Sequence, residues 1–216
     1  MSITRLQVDR LSAGYERPLF RDVSFSLEAQ QVAHVMGGNG SGKTTLLNCL
    51  LGLFPATSGD IYWNGFELRA NAFDAALYLG EQVNAQSYAL GLKNALSVRE
   101  NLQLYLSTTA NALQAASQTV RQQRIDQVLE QLSLLAVANK RCEQLSSGQQ
   151  RRVSLSKLLL NPCAVWVLDE PFAAVDKQGV VLLEGLISQH VEKGGSVLFT
   201  SHQDVSLGMS VRTVQL

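Results

Sequence analysis

Gly37-Gly38-Asn39-Gly40-Ser41-Gly42-Lys43-Thr44 reads G-x-x-x-x-G-K-[ST], a spacing suited to holding phosphate oxygens. Glycines let the backbone fold so that successive N–H groups and the N-terminus of a following helix face one anion. Lys43 adds a mobile charge toward the β and γ oxygens, and the hydroxyl of Thr44 or Thr45 suits a magnesium ion. Far along the chain, the apolar run Val165-Trp166-Val167-Leu168 ends in Asp169 and Glu170. Asp169 is positioned to hold magnesium through water; Glu170, next along the chain and so turned another way, can accept a proton from the attacking water. Leu198-Phe199-Thr200-Ser201-His202 delivers a histidine to the same edge, where its ring reaches a γ-phosphate. The chemistry implied is nucleoside triphosphate binding followed by phosphoryl transfer to water.

Such a site needs a strand before the glycines and a helix after them. Gln31 to Met36 reads as a buried strand, and Lys43 to Leu53 carries Leu46, Leu47, Leu50 and Leu51 at helical spacing. Up to about residue 82, short β-rich segments (Thr4 to Val8, Val23 to Leu27, Ile61 to Trp63) alternate with the turns Ser58-Gly59-Asp60 and Asn64-Gly65, which predicts an antiparallel layer. From about 83 to 158 the pattern turns helical: Leu96 to Leu106 is one helix, and Ile125, Val128, Leu129 and Leu132 follow i, i+3, i+4, i+7 in the next. Gln114, Gln118, Gln122 and Gln123 with Arg121 and Arg124 read as its solvated face. Short apolar strands return at Ala164 to Asp169, Ser196 to Thr200 and Val211 to Val214, with a helix around Val180 to Val191. The expectation is one α/β domain over residues 1–216, doubly wound, with a helical subdomain inserted at 83–158.

Composition narrows the function classes. Lys plus Arg (18) balance Asp plus Glu (18), so the chain lacks the basic field that nucleic-acid binders use, and no nucleic-acid partner is expected. No apolar run approaches the roughly 20 residues that span a bilayer, and no secretory pattern opens the chain, which predicts a cytosolic placement. Cys49, Cys142 and Cys163 are scattered without C-x-x-C spacing, so buried thiols are expected rather than disulfides or a zinc site. No C-x-x-C-H occurs, so no direct haem ligation is expected.

Leu145-Ser146-Ser147-Gly148-Gln149-Gln150-Arg151-Arg152 opens another helix with a Ser-Ser-Gly cap, an anion site with no phosphate of its own nearby in sequence. The order of phosphate loop, helical block, Ser-Ser-Gly-Gln-Gln, Asp-Glu and Ser-His resembles that of the ATP-binding cassette (ABC) superfamily over essentially the whole chain. That resemblance implies a P-loop NTPase fold of ABC type, with a mixed or parallel central sheet, an antiparallel β layer and the inserted helical subdomain. It further implies that Gly37 to Thr45 match the Walker A loop, Gln82 the Q-loop, Leu145 to Gln149 the signature, Val165 to Glu170 Walker B, Ala173 to Asp176 the D-loop and His202 the switch histidine. Tyr15 looks like the aromatic that stacks on adenine. ATP and magnesium are the implied ligands, the metal falling to Thr44, Gln82 and Asp169. In this superfamily the signature of one subunit completes the site of another, so a two-fold pair is implied, with Ser146, Ser147, Gly148, Gln149 and Asp176 meeting the partner's nucleotide. His34 and His190 receive no role.

Two features depart from the common pattern: Gly38 stands where many cassettes have proline, and Ala173-Ala174-Val175-Asp176 lacks the usual serine and leucine. The wording Gln149-Gln150-Arg151-Arg152-Val153, Val98-Arg99-Glu100-Asn101-Leu102 and Ser201-His202-Gln203 is similar to the haem-exporter type of cassette in cytochrome c maturation. This implies a peripheral ATPase on the cytoplasmic face of a bacterial inner membrane, paired with integral-membrane transporter subunits. Two alternatives stay open: the ATPase of another small exporter, and a soluble cassette protein of cofactor assembly or DNA repair. The lack of coiled-coil heptads between the Walker motifs argues against the repair type.

Overall fold

The computed structural model describes residues 3–68, 83–86 (backbone only), 91–108, 116–160, 163–173, 175–202 and 207–216. The chain divides into two compact units: residues 1–88, 164–173 and 184–216 form the first, and 89–163 with 174–183 the second.

The first unit holds two sheets. Strands β1 (Thr4–Gly14), β2 (Pro18–Glu28), β4 (Ser58–Trp63) and β5 (Phe66–Glu67) pair antiparallel in the order β2-β1-β4-β5. Strands β3 (Val32–Met36), β6 (Val83–Gln86), β7 (Val165–Leu168), β8 (Ser196–Thr200) and β9 (Val211–Gln215) form a parallel sheet in the order β6-β7-β8-β3-β9. β7 and β8 are buried along their whole length, as expected of strands covered on both faces, and so lack polar alternation. Helix α1 (Lys43–Leu50) buries Leu46, Leu47, Cys49 and Leu50 in a core shared with Leu6, Leu27, Val35, Trp63, Val167 and Leu198. Each such side chain contributes about 1.5–3 kcal/mol of burial free energy. Trp63 Nε1 donates to the Leu50 carbonyl at 2.8 Å, satisfying one acceptor left over at the C-terminus of α1.

Ser58-Gly59-Asp60 is not the turn that its composition suggests: it opens β4, where Ser58 pairs with Ser12 and Asp60 with Asp9. The glycine is there for close approach, because a Cβ on Gly59 would collide with the backbone carbonyl of Arg10, itself at φ 45 in a shifted stretch of β1.

The second unit contains α2 (Val98–Thr108), α3 (Gln118–Gln131) and α4 (Ser147–Leu160). Its interior gathers Val98, Leu102 and Leu106 with Ile125, Val128, Leu129, Leu132, Val153 and Leu158. Strand β6 belongs to the first unit, so the helical part starts after residue 83. The supposedly solvated face of α3 is only partly so. Arg124 is half-buried and donates to the Leu159 carbonyl at 2.9 Å, Gln122 bonds Gln103 and Asp126, and Arg121 is half-buried, while Gln118 and Gln123 are exposed. Gln114 lies outside the described residues. Helix α5 (Lys177–Glu192) follows β7 and precedes β8. Among the described residues no helix is long and apolar enough to cross a membrane, and Cys49, Cys142 and Cys163 are buried and outside any disulfide.

Candidate functional site

Three neighbouring strands of the parallel sheet end at one edge. β3 releases the glycine loop, β7 ends in Asp169 and Glu170, and β8 leads into Ser201 and His202. Open α/β sheets bind ligands outside these carboxyl ends. Gly40 at φ 80 and Gly42 at φ 97 take left-handed conformations, and Gly42 ends the loop as the N-cap of α1. That cap supplies no side-chain acceptor, so the first N–H groups of α1 face outward for an anion. A Cβ on Gly38 would meet nothing, so the backbone does not require glycine there for space.

Lys43 is buried, and its ammonium donates to the carbonyls of Gly37 at 2.8 Å and Gly38 at 3.2 Å. Its third contact is His202 Nδ1 at 3.2 Å. An ammonium can only donate, so Nδ1 accepts and the neutral ring carries its proton on Nε2. Nε2 stands 3.1 Å from Glu170 Oε1 but out of line for a hydrogen bond, and that shielded oxygen has no hydrogen-bond partner among the described residues. Glu170 therefore keeps lone pairs free to receive a proton. Ser41 Oγ in the loop is likewise shielded and unbonded among the described residues.

Asp169 is held at both oxygens: Thr44 Oγ1 donates to Oδ2 at 2.9 Å and Thr200 Oγ1 to Oδ1 at 2.7 Å. Thr44 is exposed and Thr45 half-buried. A hydroxyl facing a carboxylate across 2.9 Å is an all-oxygen donor set, which fits a hard cation such as magnesium. Tyr15 is 81% exposed and meets Phe54 edge-on with centroids 5.2 Å apart, leaving a ring face open. Gln82 and Ala174 lie outside the described residues.

The second unit carries a separate cluster. Ser146 and Gln149 form a reciprocal cap on α4: the Gln149 N–H donates to Ser146 Oγ at 3.3 Å, and the Ser146 N–H to Gln149 Oε1 at 3.0 Å. The Gln149 side-chain oxygen is thus occupied, while Ser147 is exposed and Gly148 half-buried at the helix start. Asp176 caps α5, its Oδ1 accepting the Gly179 N–H at 2.7 Å, and its Oδ2 would lie 3.5 Å from a Cβ on Gly148.

The histidines without an assigned role are structural. His34 is buried and stacks on Phe199 with centroids 4.5 Å apart; His190 stacks on Trp166 at 4.0 Å. Sequence reasoning missed Thr200, whose only signal was one hydroxyl in an otherwise apolar strand end.

The profile of the ABC transporter family matches residues 20–173. The chain is 38% identical over 203 residues to the cytochrome c biogenesis ATP-binding export protein CcmA of Saccharophagus degradans, covering 93% of this chain and 87% of that protein. It is 39% identical over 205 residues to the Yersinia pestis protein of the same name, covering 93% and 87%. Among solved structures, a post-hydrolysis dimer of an ATP-binding cassette bound to ADP and Pi matches with TM-score 0.77 and 24% identity over 92% of this chain and 88% of that one. CbiO1 of Clostridium perfringens matches with TM-score 0.78 and 23% identity over 93% and 79%. These two likenesses show the fold.

Proposed function

The chain belongs to the ABC transporter family and is an ATP-hydrolysing domain, and from that premise we propose that it is the ATPase subunit of a membrane complex for haem export or delivery in cytochrome c biogenesis. The observation that carries the catalytic part is the convergence of Lys43, Thr44, Asp169, Glu170 and His202 at one sheet edge. The cytochrome c role is supported by the likeness to CcmA proteins over most of the chain.

In this reading the loop N–H groups from Gly37 to Thr45 and the start of α1 hold the β and γ phosphates. Lys43 exchanges its carbonyl bonds for phosphate oxygens, and Tyr15 lies against the adenine. Magnesium would be held by Thr44 and Asp169, with Gln82 as a further ligand, and would neutralise charge on the phosphates. Glu170 takes the proton of the attacking water on its unspent carboxylate oxygen, and His202 bonds the γ-phosphate. Two copies pair face to face, so that Ser146, Ser147, Gly148, Gln149 and Asp176 of each complete the other's site. ATP closes the pair and hydrolysis opens it, through differential affinity for the two states. The pair docks on integral-membrane subunits at the cytoplasmic face of the inner membrane.

Isolation of the native complex from membranes, with identification of its subunits and a haem absorbance scan, tests this assignment. Integral-membrane subunits with haem in the complex are the expected result. Recovery with a soluble scaffold and no membrane subunit would overturn it.

A further inference from the structure

Thr200 is fully buried at the end of β8, and its single hydroxyl makes two bonds, both to the acidic pair beyond β7. The O–H donates to Asp169 Oδ1 at 2.7 Å, and the oxygen accepts the Glu170 N–H at 2.8 Å. The register produces this: Leu168 is paired with Phe199, so the next residues of the two parallel strands are Asp169 and Thr200. Glu170 itself stands at φ 48, in the left-handed region that a residue with a Cβ enters at a cost and holds only when its surroundings enforce it. Its carbonyl accepts the Ala173 N–H at 3.1 Å, closing a short turn after the strand. Thr200 anchors the other side of that turn.

Packing alone does not ask for threonine here. Valine has the same shape and suits a buried strand, whereas a buried hydroxyl is stable only when its bonds are made. Thr44 holds the opposite oxygen of Asp169, but Thr44 is exposed whereas Thr200 is fully buried.

We propose that Thr200 is a positioning residue for ATP hydrolysis: one buried hydroxyl locks the Asp169 carboxylate and the left-handed Glu170 backbone into a single geometry, so that the Glu170 side chain is aimed before nucleotide arrives. The inference rests on the reading of Glu170 as the proton acceptor.

Thr200→Val and Thr200→Ser in the full chain test it, through steady-state ATP hydrolysis and through hydrogen exchange of the 169–173 backbone. Valine is expected to lower kcat about 10–100-fold while KM for ATP stays within about two-fold, because aim rather than binding is lost. The Glu170 amide, deprived of its acceptor, should exchange about ten-fold faster or more. Serine restores the hydroxyl and should bring both readouts within about three-fold of the parent. Should the valine chain not fold, Thr200→Ala is read against serine by the same criteria. Parental kcat and exchange in the valine chain, or a serine chain as impaired as the valine one, overturns the proposal. Glu170→Gln serves as the control: parental turnover there would sink the base assignment, and the exchange readout would still decide whether Thr200 anchors the turn.

Discussion

Replacing Glu170 by glutamine removes one function while leaving the geometry around it nearly untouched, which makes it the sharpest test of the hydrolytic reading. The amide has the size of the carboxylate but cannot accept the proton of an attacking water. General-base catalysis is worth about 10²–10⁴ in rate, or about 2.7–5.5 kcal/mol of barrier. Unfolding would not produce that loss. The residue's backbone bonds, from its N–H to Thr200 Oγ1 at 2.8 Å and from Ala173 N–H to its carbonyl at 3.1 Å, do not involve the side chain. The facing His202 side chain is 46% exposed, so the attraction between the two side chains is screened by water and worth at most about 1 kcal/mol. Phosphate release at saturating ATP and magnesium should therefore fall by two orders of magnitude or more, with nucleotide affinity and Tm near parental. Binding without turnover should also trap the closed pair, visible as an ATP-dependent dimer by size-exclusion chromatography. A rate within about three-fold of the parent would refute the assignment of Glu170. A matched loss of affinity and rate would make it a binding residue instead.

Lys43→Ala removes a charge-assisted bond worth about 1.5–3 kcal/mol, so nucleotide affinity in an equilibrium titration should drop about 10–150-fold; an affinity within two-fold of the parent would remove Lys43 from the phosphate site. Ser147→Arg, placed at the exposed start of α4 in the Glu170→Gln background, should leave ATP binding intact and abolish the ATP-dependent dimer; undiminished dimerisation would contradict the shared-site pairing. Burial beside Trp166 pushes His190 down to about 4. The unfolded chain then binds the extra proton between pH 6.5 and about 4, so His190 makes stability fall with acid across that window, by up to about 3 kcal/mol. Urea unfolding at about pH 7 and about pH 5 should show a shallower acid loss for His190→Phe; an unchanged slope would remove His190 as the cause.

The parts of this protein that were legible in its sequence are those whose meaning is local. The glycine loop is contiguous, its flanking strand and helix announce themselves by apolar run and period, and α1 begins at Lys43 as that pattern requires. Gly59 misled because a glycine needed for close approach to Arg10 is compositionally the same as one needed for a turn; only the pairing of β1 with β4 tells them apart. Arg124 misled in the opposite sense, since a long polar stem on a helix looks solvated until the Leu159 carbonyl is found beside it. The site's working contacts were the least legible. Thr44 meets Asp169 across 125 residues and Thr200 meets it across 31, and each contact depends on strand register in a sheet buried on both faces. Register in such a sheet leaves little trace, because a one-residue slip of an all-apolar strand exchanges one buried side chain for another. Here the polar residues at and just past the strand ends supply the missing specification. A one-position slip of β8 against β7 that set Phe199 in place of Thr200 would orphan the Glu170 N–H and leave Asp169 with one bonded oxygen instead of two. The acidic pair and its threonines thus fix the alignment of the strands that present them, so the catalytic edge is also the register mark of the sheet.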